Sequence, residues 1–528
     1  MQVVAGLFLT LLLVSYSVRP TESARILAVV QLNAYSHWQM FEPLLKALAA
    51  RGHEVDVVSH FPQKTPLQNY KDISVEGSLP NIMNNFTVEL ALQFSTMLPT
   101  LQFFWFHNMD VCKTVFDHPK VQNLIHSKEK YDLVITEIFA VDCAMAFGHK
   151  FKAPIVNVMT AVPYPWANER VANPDNPSYI PCYFGDYSAP MSFFERVYNT
   201  LLVETLKVGS YIFSDLRTDR LVSQYFGDDV PSVTQLQKNV SLVLFNGHFS
   251  ITETRPLVPA MVEVAGLHIN LGKKLPQDIK TFLDKSHQGV IYFSLGSLIQ
   301  AETFPEETLK AFVEAFQELP QNILWKCNGD AIPGGLPAKI KAAKWMPQFD
   351  ILGHRNTEVF ITHGGMMGIQ EAIHHGVPLL IIPFFGDQHH NAQYYKSRGM
   401  AELIDPRLPI TKDIVLNALK KILTQPSYRE NARRLSQLFH DRPQSALDTA
   451  VFWTEYVIRH RGAPHLRSAA VDLPLYQYLL LDVIAFLLLV PLVLLVILWF
   501  VFRKFMAVMG RKSKEKEHKN KTTKLKKK

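Results

Sequence analysis

Two kinds of apolar pattern alternate along this chain. Short runs are apolar throughout, and between them lie longer stretches whose apolar residues recur every three or four positions. The first kind reads as parallel strands buried on both faces, the second as helices laid against them. Residues 25–32 (RILAVVQL) are the first such run, and residues 33–37 read as the loop after it. Residues 38–51 carry Met40, Phe41, Leu44, Leu45 and Leu48 at helical spacing, Gly52 ends them, and residues 54–59 begin a second strand. This predicts a βαβ unit opening a Rossmann-like domain. Residues 82–109 are aromatic and read as helices lining a pocket. Further strands are predicted at 131–136, 153–159 and 242–246, with a long Pro-, Tyr- and Asn-rich connection over 163–190.

The pattern then restarts. A linker helix (275–286) precedes a strand (290–294), a helix (305–319), a strand (322–326) and an edge loop (344–348). Strand 359–361, helix 366–375 and strand 379–382 follow, then helices at 389–397, 414–423, 428–438 and 444–459. The class is therefore α/β, with two Rossmann-like halves in series. In such sheets ligands bind beyond the carboxyl ends of the strands. His37, Ser294-Leu-Gly296-Ser297, His363-Gly364-Gly365 and Asp387-Gln388 all fall there. Two glycines before a helix N-terminus suit a diphosphate, because free N–H groups and the helix dipole both favour anions. Neither half carries GxGxxG after its first strand, which argues against a dinucleotide enzyme.

Composition adds a membrane. Of 528 residues 48% are hydrophobic and 19% charged. The net charge of +7 is misleading, since residues 503–528 hold 12 Lys/Arg against 2 Glu, leaving the rest slightly acidic. That basicity is a tail, not a nucleic-acid surface. Residues 483–502 are a 20-residue run without a charge, followed at once by Arg503 and Lys504. This predicts a transmembrane helix with the tail in the cytosol. Residues 6–14 form the short apolar core of a secretory signal, with cleavage after Ser17 or Ala24. Lys524 and Lys526 are spaced from the end as in a dilysine retrieval signal. Asn85 and Asn239 head glycosylation sequons. Cys112, Cys143, Cys182 and Cys327 show neither CxxC nor zinc spacing, and the pairing of any disulfide stays open.

The run His363-Gly-Gly, Glu371, Pro378, Pro383, Asp387-Gln388 resembles the signature of the membrane-bound animal UDP-glycosyltransferases, and its wording resembles the invertebrate members. The resemblance covers almost the whole chain. It implies two Rossmann-like domains facing across a cleft, the GT-B fold, plus one C-terminal transmembrane helix. The expected organisation is a signal peptide (1–24), an acceptor domain (25–265), a UDP-sugar domain with linker and return helix (266–470), a juxtamembrane segment and membrane helix (471–502), and a cytosolic tail (503–528). The expected activity is inverting transfer of a hexose, glucose for preference, from a UDP-sugar to a hydroxyl of a small lipophilic acceptor. No cofactor or metal is expected. The compartment would be the endoplasmic-reticulum membrane, with the body lumenal; a homo-oligomer stays open. The rivals are a non-catalytic binding protein on the same fold and a transferase acting on membrane lipids.

Three chemical needs assign the residues. The acceptor must lose a proton, and His37 is the expected base. A carboxylate should orient it. The resemblance implies an Asp just past the 131–136 strand: direct register with the family gives Glu137, while one inserted residue and the carboxylate type give Asp142, which is the favoured choice. The resemblance implies that His363 and the Gly364–Gly365 amides meet the diphosphate, with Ser294, Gly296 and Ser297 nearby. It implies Trp345 stacked on uracil, Gln348 near the base or ribose, Glu371 on the ribose, and Asp387 with Gln388 on the sugar. Met367 departs from the pattern, since many relatives carry Asn there.

Overall fold

Among the described residues thirteen short strands, nine of them five or six residues long, form the frame. In the computed structural model, which describes residues 23–526 apart from 81, 107, 141 and 270–273, they make two wholly parallel sheets. The expected signal segment, but for its last two residues, and the final two lysines lie outside the described residues. The first sheet comprises β1 (Arg25–Val29), β2 (Glu54–Ser59), β3 (Tyr70–Ser74), β4 (Leu133–Glu137), β5 (Ile155–Met159), β6 (Val240–Phe245) and β7 (Met261–Glu263). Its order is β3-β2-β1-β4-β5-β6-β7. The second comprises β8 (Val290–Ser294), β9 (Asn322–Lys326), β10 (Ile340–Ala343), β11 (Thr357–Thr362), β12 (Leu379–Ile381) and β13 (Ala401–Leu403), in the order β10-β9-β8-β11-β12-β13. β4, β5, β6 and β8 are buried at every residue, as strands covered on both faces must be.

Each sheet reverses its winding once, between β1 and β4 and between β8 and β11. At such a point two loops leave in opposite directions and open a crevice. The candidate residues lie at these two crevices.

The structure moves three boundaries. The first helix is Tyr35–Ala50, so His37 sits in its first turn and not in a loop. Ala34 occupies the cap position with no capping side chain, which is why the start was not legible. The return helix, Ala446–Arg459, follows the second half in sequence but packs on the first. Ala446, Ala450, Val451 and Val457 share a cluster with Ile26, Phe41, Leu45 and Val156. Glu455 fixes it there, accepting from Arg51 Nη2 at 3.0 Å and lying 3.2 Å from His53 Nε2. Within 82–109, the helices are Val88–Gln93, Met97–Phe106 and, from Asn108, a third reaching Asp117; of these, Val88 and Ala91 join the second half's core.

Cys112 and Cys143 are disulfide-bonded, tying the helix Asn108–Asp117 to the segment after β4, while Cys182 and Cys327 are free and buried. Asn85 and Asn239 are both exposed. The chain divides after Ser468. The second unit is dominated by one helix, Leu481–Leu525, long and apolar enough to cross a membrane.

Candidate active site

β1 and β4 bring the first pair together. His37 Nδ1 contacts the Oε1 of Glu137, the last residue of β4. Thr160 Oγ1 lies 3.3 Å from the same nitrogen, and the Phe139 ring stands edge-on at 4.6 Å. A carboxylate on Nδ1 holds the proton there and leaves Nε2 as the basic nitrogen. Glu137 is buried, and its Oε2 has no hydrogen-bond partner among the described residues.

Asp142, the favoured partner in sequence, is not on His37. Its Oδ2 accepts from Arg170 Nη2 at 2.6 Å and from Gln237 Nε2 at 3.0 Å. Arg170 is fully buried and needs that charge. Nor does the Asp142 side chain cap the turn that follows it. The structure puts Glu137, the residue in direct register, on His37 and pairs the favoured Asp142 with Arg170 instead.

β8 and β11 build the second pair of loops. His363 follows β11 and is held between two glycines. A Cβ on Gly296 would lie 2.5 Å from its Cε1, and one on Gly365 2.5 Å from its Nε2, so neither position admits a side chain. Gly296 also has φ +79°, which favours glycine independently. Burial, and then the Lys326 charge, push His363 down to about 4. It is therefore neutral near pH 7. The helix Met366–His375 begins here with no side-chain cap, leaving its first amides open. Ser294 is buried and its Oγ accepts from the Gly296 amide at 3.3 Å, bracing the turn.

Beyond these loops, Trp345 is 56% exposed and lines the cavity. Gln348 Nε2 donates to Glu371 Oε2 at 2.6 Å, so these two expected ribose contacts act as one unit. Burial pushes Glu371 up to about 7. Asp387 precedes the helix Gln388–Ser397 but does not cap it with its side chain. Its Oδ2 accepts from Asn391 Nδ2 at 2.9 Å, and burial pushes it up to about 6. Gln388 departs from its expected role in part. Its Oε1 accepts from the Phe384 and Phe385 amides at 2.8 and 3.2 Å, so only its amide N–H groups remain for a ligand. Met367 packs on the first half's core, and its carbonyl lies 3.2 Å from His268 Nε2.

Apart from Glu137, Asp142 and Gly364, the candidate catalytic and donor-site residues line one cavity of ≈ 570 Å³ shared by the two halves. His37 and Phe139 stand on one side; Ser294, His363, Trp345, Glu371 and Asp387 stand on the other. Phe94, Phe103, Phe104, Tyr164, Tyr183 and Phe385 give it aromatic walls, so the 163–190 connection does contribute. Lys326 was missed. It ends β9, its Nζ lies 5.2 Å from the Trp345 ring centroid, and it donates to the Gly296 carbonyl. A lysine following the apolar run Ile323-Leu324-Trp325, at the carboxyl end of the strand, was the available signal.

The family model described as UDP-glucoronosyl and UDP-glucosyl transferase matches residues 25–520. The chain is 42% identical to UDP-glycosyltransferase UGT5 of Dactylopius coccus, covering 90% of this chain and 91% of that one. It is 41% identical to UDP-glucosyltransferase 2 of the same insect (91% and 93% covered) and 34% identical to human UDP-glucuronosyltransferase 2B7 (86% and 88%). The chain belongs to the UDP-glycosyltransferase family. Among solved structures, UDP-glucose: anthocyanidin 3-O-glucosyltransferase in complex with UDP superposes with a TM-score of 0.57 at 16% identity, over 83% of this chain and all of that one. The kitacinnamycin glycotransferase gives 0.54 at 18%, over 83% and 98%. These establish the GT-B fold for this UDP-glycosyltransferase, whose donor is a UDP-sugar.

Proposed function

We propose that the enzyme transfers glucose from UDP-glucose, with inversion, to a hydroxyl of a small lipophilic acceptor. The carrying observation is the His37–Glu137 pair facing the His363–Gly365 loops across one cavity. The acceptor oxygen attacks the anomeric carbon as its proton passes to His37 Nε2. The new C–O bond forms as the bond to UDP breaks, and the electron pair leaves with the diphosphate. Attack opposite the leaving group turns an α-linked donor into a β-glycoside. Glu137 stabilises the imidazolium that forms. The open helix N-terminus and Lys326 supply positive charge where the diphosphate leaves, so the reading needs no metal or other cofactor.

Among the described residues, Lys326 is the one Lys or Arg lining the cavity, and it stands at Gly296 beside His363. A glucuronate carboxyl would lack a cation at the Asp387–Gln388 end, which favours a neutral hexose. The aromatic walls favour a lipophilic acceptor. We place the body in the endoplasmic-reticulum lumen as a type I protein, on the strength of the signal-like segment, the apolar helix and the basic tail.

Membranes carrying wild type or His37→Ala, incubated with a panel of UDP-sugars and phenolic acceptors, test this. The expected result is a β-glucoside from wild type and a loss of roughly 10²–10⁴-fold in kcat for the variant. Equal turnover would remove His37 as base. A preference for UDP-glucuronic acid would overturn the sugar, and no turnover with any donor would favour the binding protein.

A further inference from the structure

Residues 82–93 belong to the first half by sequence, but their partners belong to the second. The Asn84 amide donates to the Ser297 carbonyl at 2.8 Å, and the Phe86 amide to Leu298 at 3.1 Å. The Gln300 amide returns a bond to the Phe86 carbonyl at 2.9 Å, and Phe86 bridges Ile299 as in a parallel ladder. The Val88 amide donates to Thr303 Oγ1 at 2.8 Å, and Val88 and Ala91 are buried with Ile299 and Phe304. The clamp therefore grips the loop that follows β8, where Gly296 and Ser297 face the donor cavity.

At its tip Asn84 adopts φ +48°, a region Asn tolerates better than other side chains. That turn points its amide oxygen at Lys326, whose Nζ donates to Asn84 Oδ1 at 3.2 Å while also reaching the Gly296 carbonyl. A lysine has four rotatable side-chain bonds, and holding it in one place costs rotamer entropy. A cation already held in place needs no reorganisation when an anion arrives.

We propose that Asn84, supplied by the acceptor half, is a positioning residue of the donor site: by holding Lys326 at the Gly296–His363 loops it sets the cation that meets the donor diphosphate. The donor site is then complete only while the clamp is docked. This rests on the donor reading above. The groups facing Lys326 are Glu302, whose charge raises its proton affinity, and His363, whose own affinity the lysine lowers. Burial outweighs Glu302 and brings the ammonium down to about 8.

Two substitutions separate backbone from side chain. Asn84→Gly keeps the positive-φ backbone and removes the amide oxygen; Asn84→Asp keeps an acceptor atom at that place. UDP affinity is measured by calorimetry on the full-length detergent-solubilised protein, alongside KM for the donor, KM for the acceptor and kcat. Asn84→Gly should weaken UDP and raise donor KM about tenfold, with acceptor KM unchanged, and should have no further effect in a Lys326→Met background. Asn84→Asp should bind UDP as wild type does, and should move the alkaline rise in donor KM to higher pH. Equal UDP affinity for wild type and Asn84→Gly would overturn the proposal, as would an Asn84→Asp variant as weak as Asn84→Gly. If wild type itself failed to bind UDP, the donor reading would fall, and this inference with it.

Discussion

The choice between Glu137 and Asp142 turns on one residue that no local pattern reveals, Arg170. One carboxylate ends β4 and the other lies five residues beyond it, and both look available in sequence. Arg170 is fully buried 28 residues beyond Asp142 and takes its charge, while Glu137 ends the strand beside His37. The two should therefore fail differently. Glu137→Gln should lower kcat by roughly 10²–10⁴-fold with the fold intact. Asp142→Asn should instead weaken the partner of a buried guanidinium and cost several kcal/mol of stability, read by denaturant unfolding. Glu371 gives a pH test. Its folded pKa is raised from 4.5 to about 7, so its stabilisation of the unliganded protein is complete below 4.5 and is lost as pH rises through 7. On the proposed donor reading, in which the carboxylate accepts from the ribose, UDP binding should strengthen over the same range. The thermal shift caused by UDP should thus grow between about pH 5 and 8, and Glu371→Gln should flatten it. At this scale the sequence pattern picked out many of the residues that line the cavity, because strand ends and glycine turns are local. It did not expose pairings such as Gln348 with Glu371, or Gln388 with its own loop, because partners are set by the fold.

The helices and strands that the period predicts match the structure in type and nearly in bounds, since burial on one or two faces writes its period into the chain, while the strands Tyr70–Ser74 and Ala401–Leu403 and the helix Phe193–Gly209 were not read from it. The strands Val290–Ser294 and Asn322–Lys326 and the helix Met366–His375 fall where the period placed them. What an amphipathic face covers is not written in its own period. Both misallocated elements, Ala446–Arg459 and Val88–Gln93, cross from the half they follow to the half they pack on. Glu455 is the polar anchor of the first crossing. Burial would raise its pKa, but hydrogen bonds from Arg51 and His53 outweigh this and hold it below 4.5. Its contribution is present above that value and is lost as pH falls through the lowered pKa. Glu455→Gln should therefore cost about 1–3 kcal/mol at neutral pH and remove part of the acid limb of the stability profile, followed by fluorescence-detected unfolding.

At the scale of the molecule, the hydrophobic clusters among the described residues all lie before Ala469, where the second unit begins. A chain ended at Ser468 should keep its folded body and its UDP-binding cavity while losing retention in the membrane pellet after alkaline extraction. The two halves are not separable in the same way. The apolar face formed by β1, β5 and the helix Tyr35–Ala50 is filled by Ala450, Val451 and Val457. On the ribosome those residues emerge only after the entire second half has been made. The nascent first half must wait with that face uncovered, so this chain cannot complete its domains in the order of their synthesis. A message broken anywhere within the second half would yield an aggregation-prone fragment, not a smaller acceptor-binding protein.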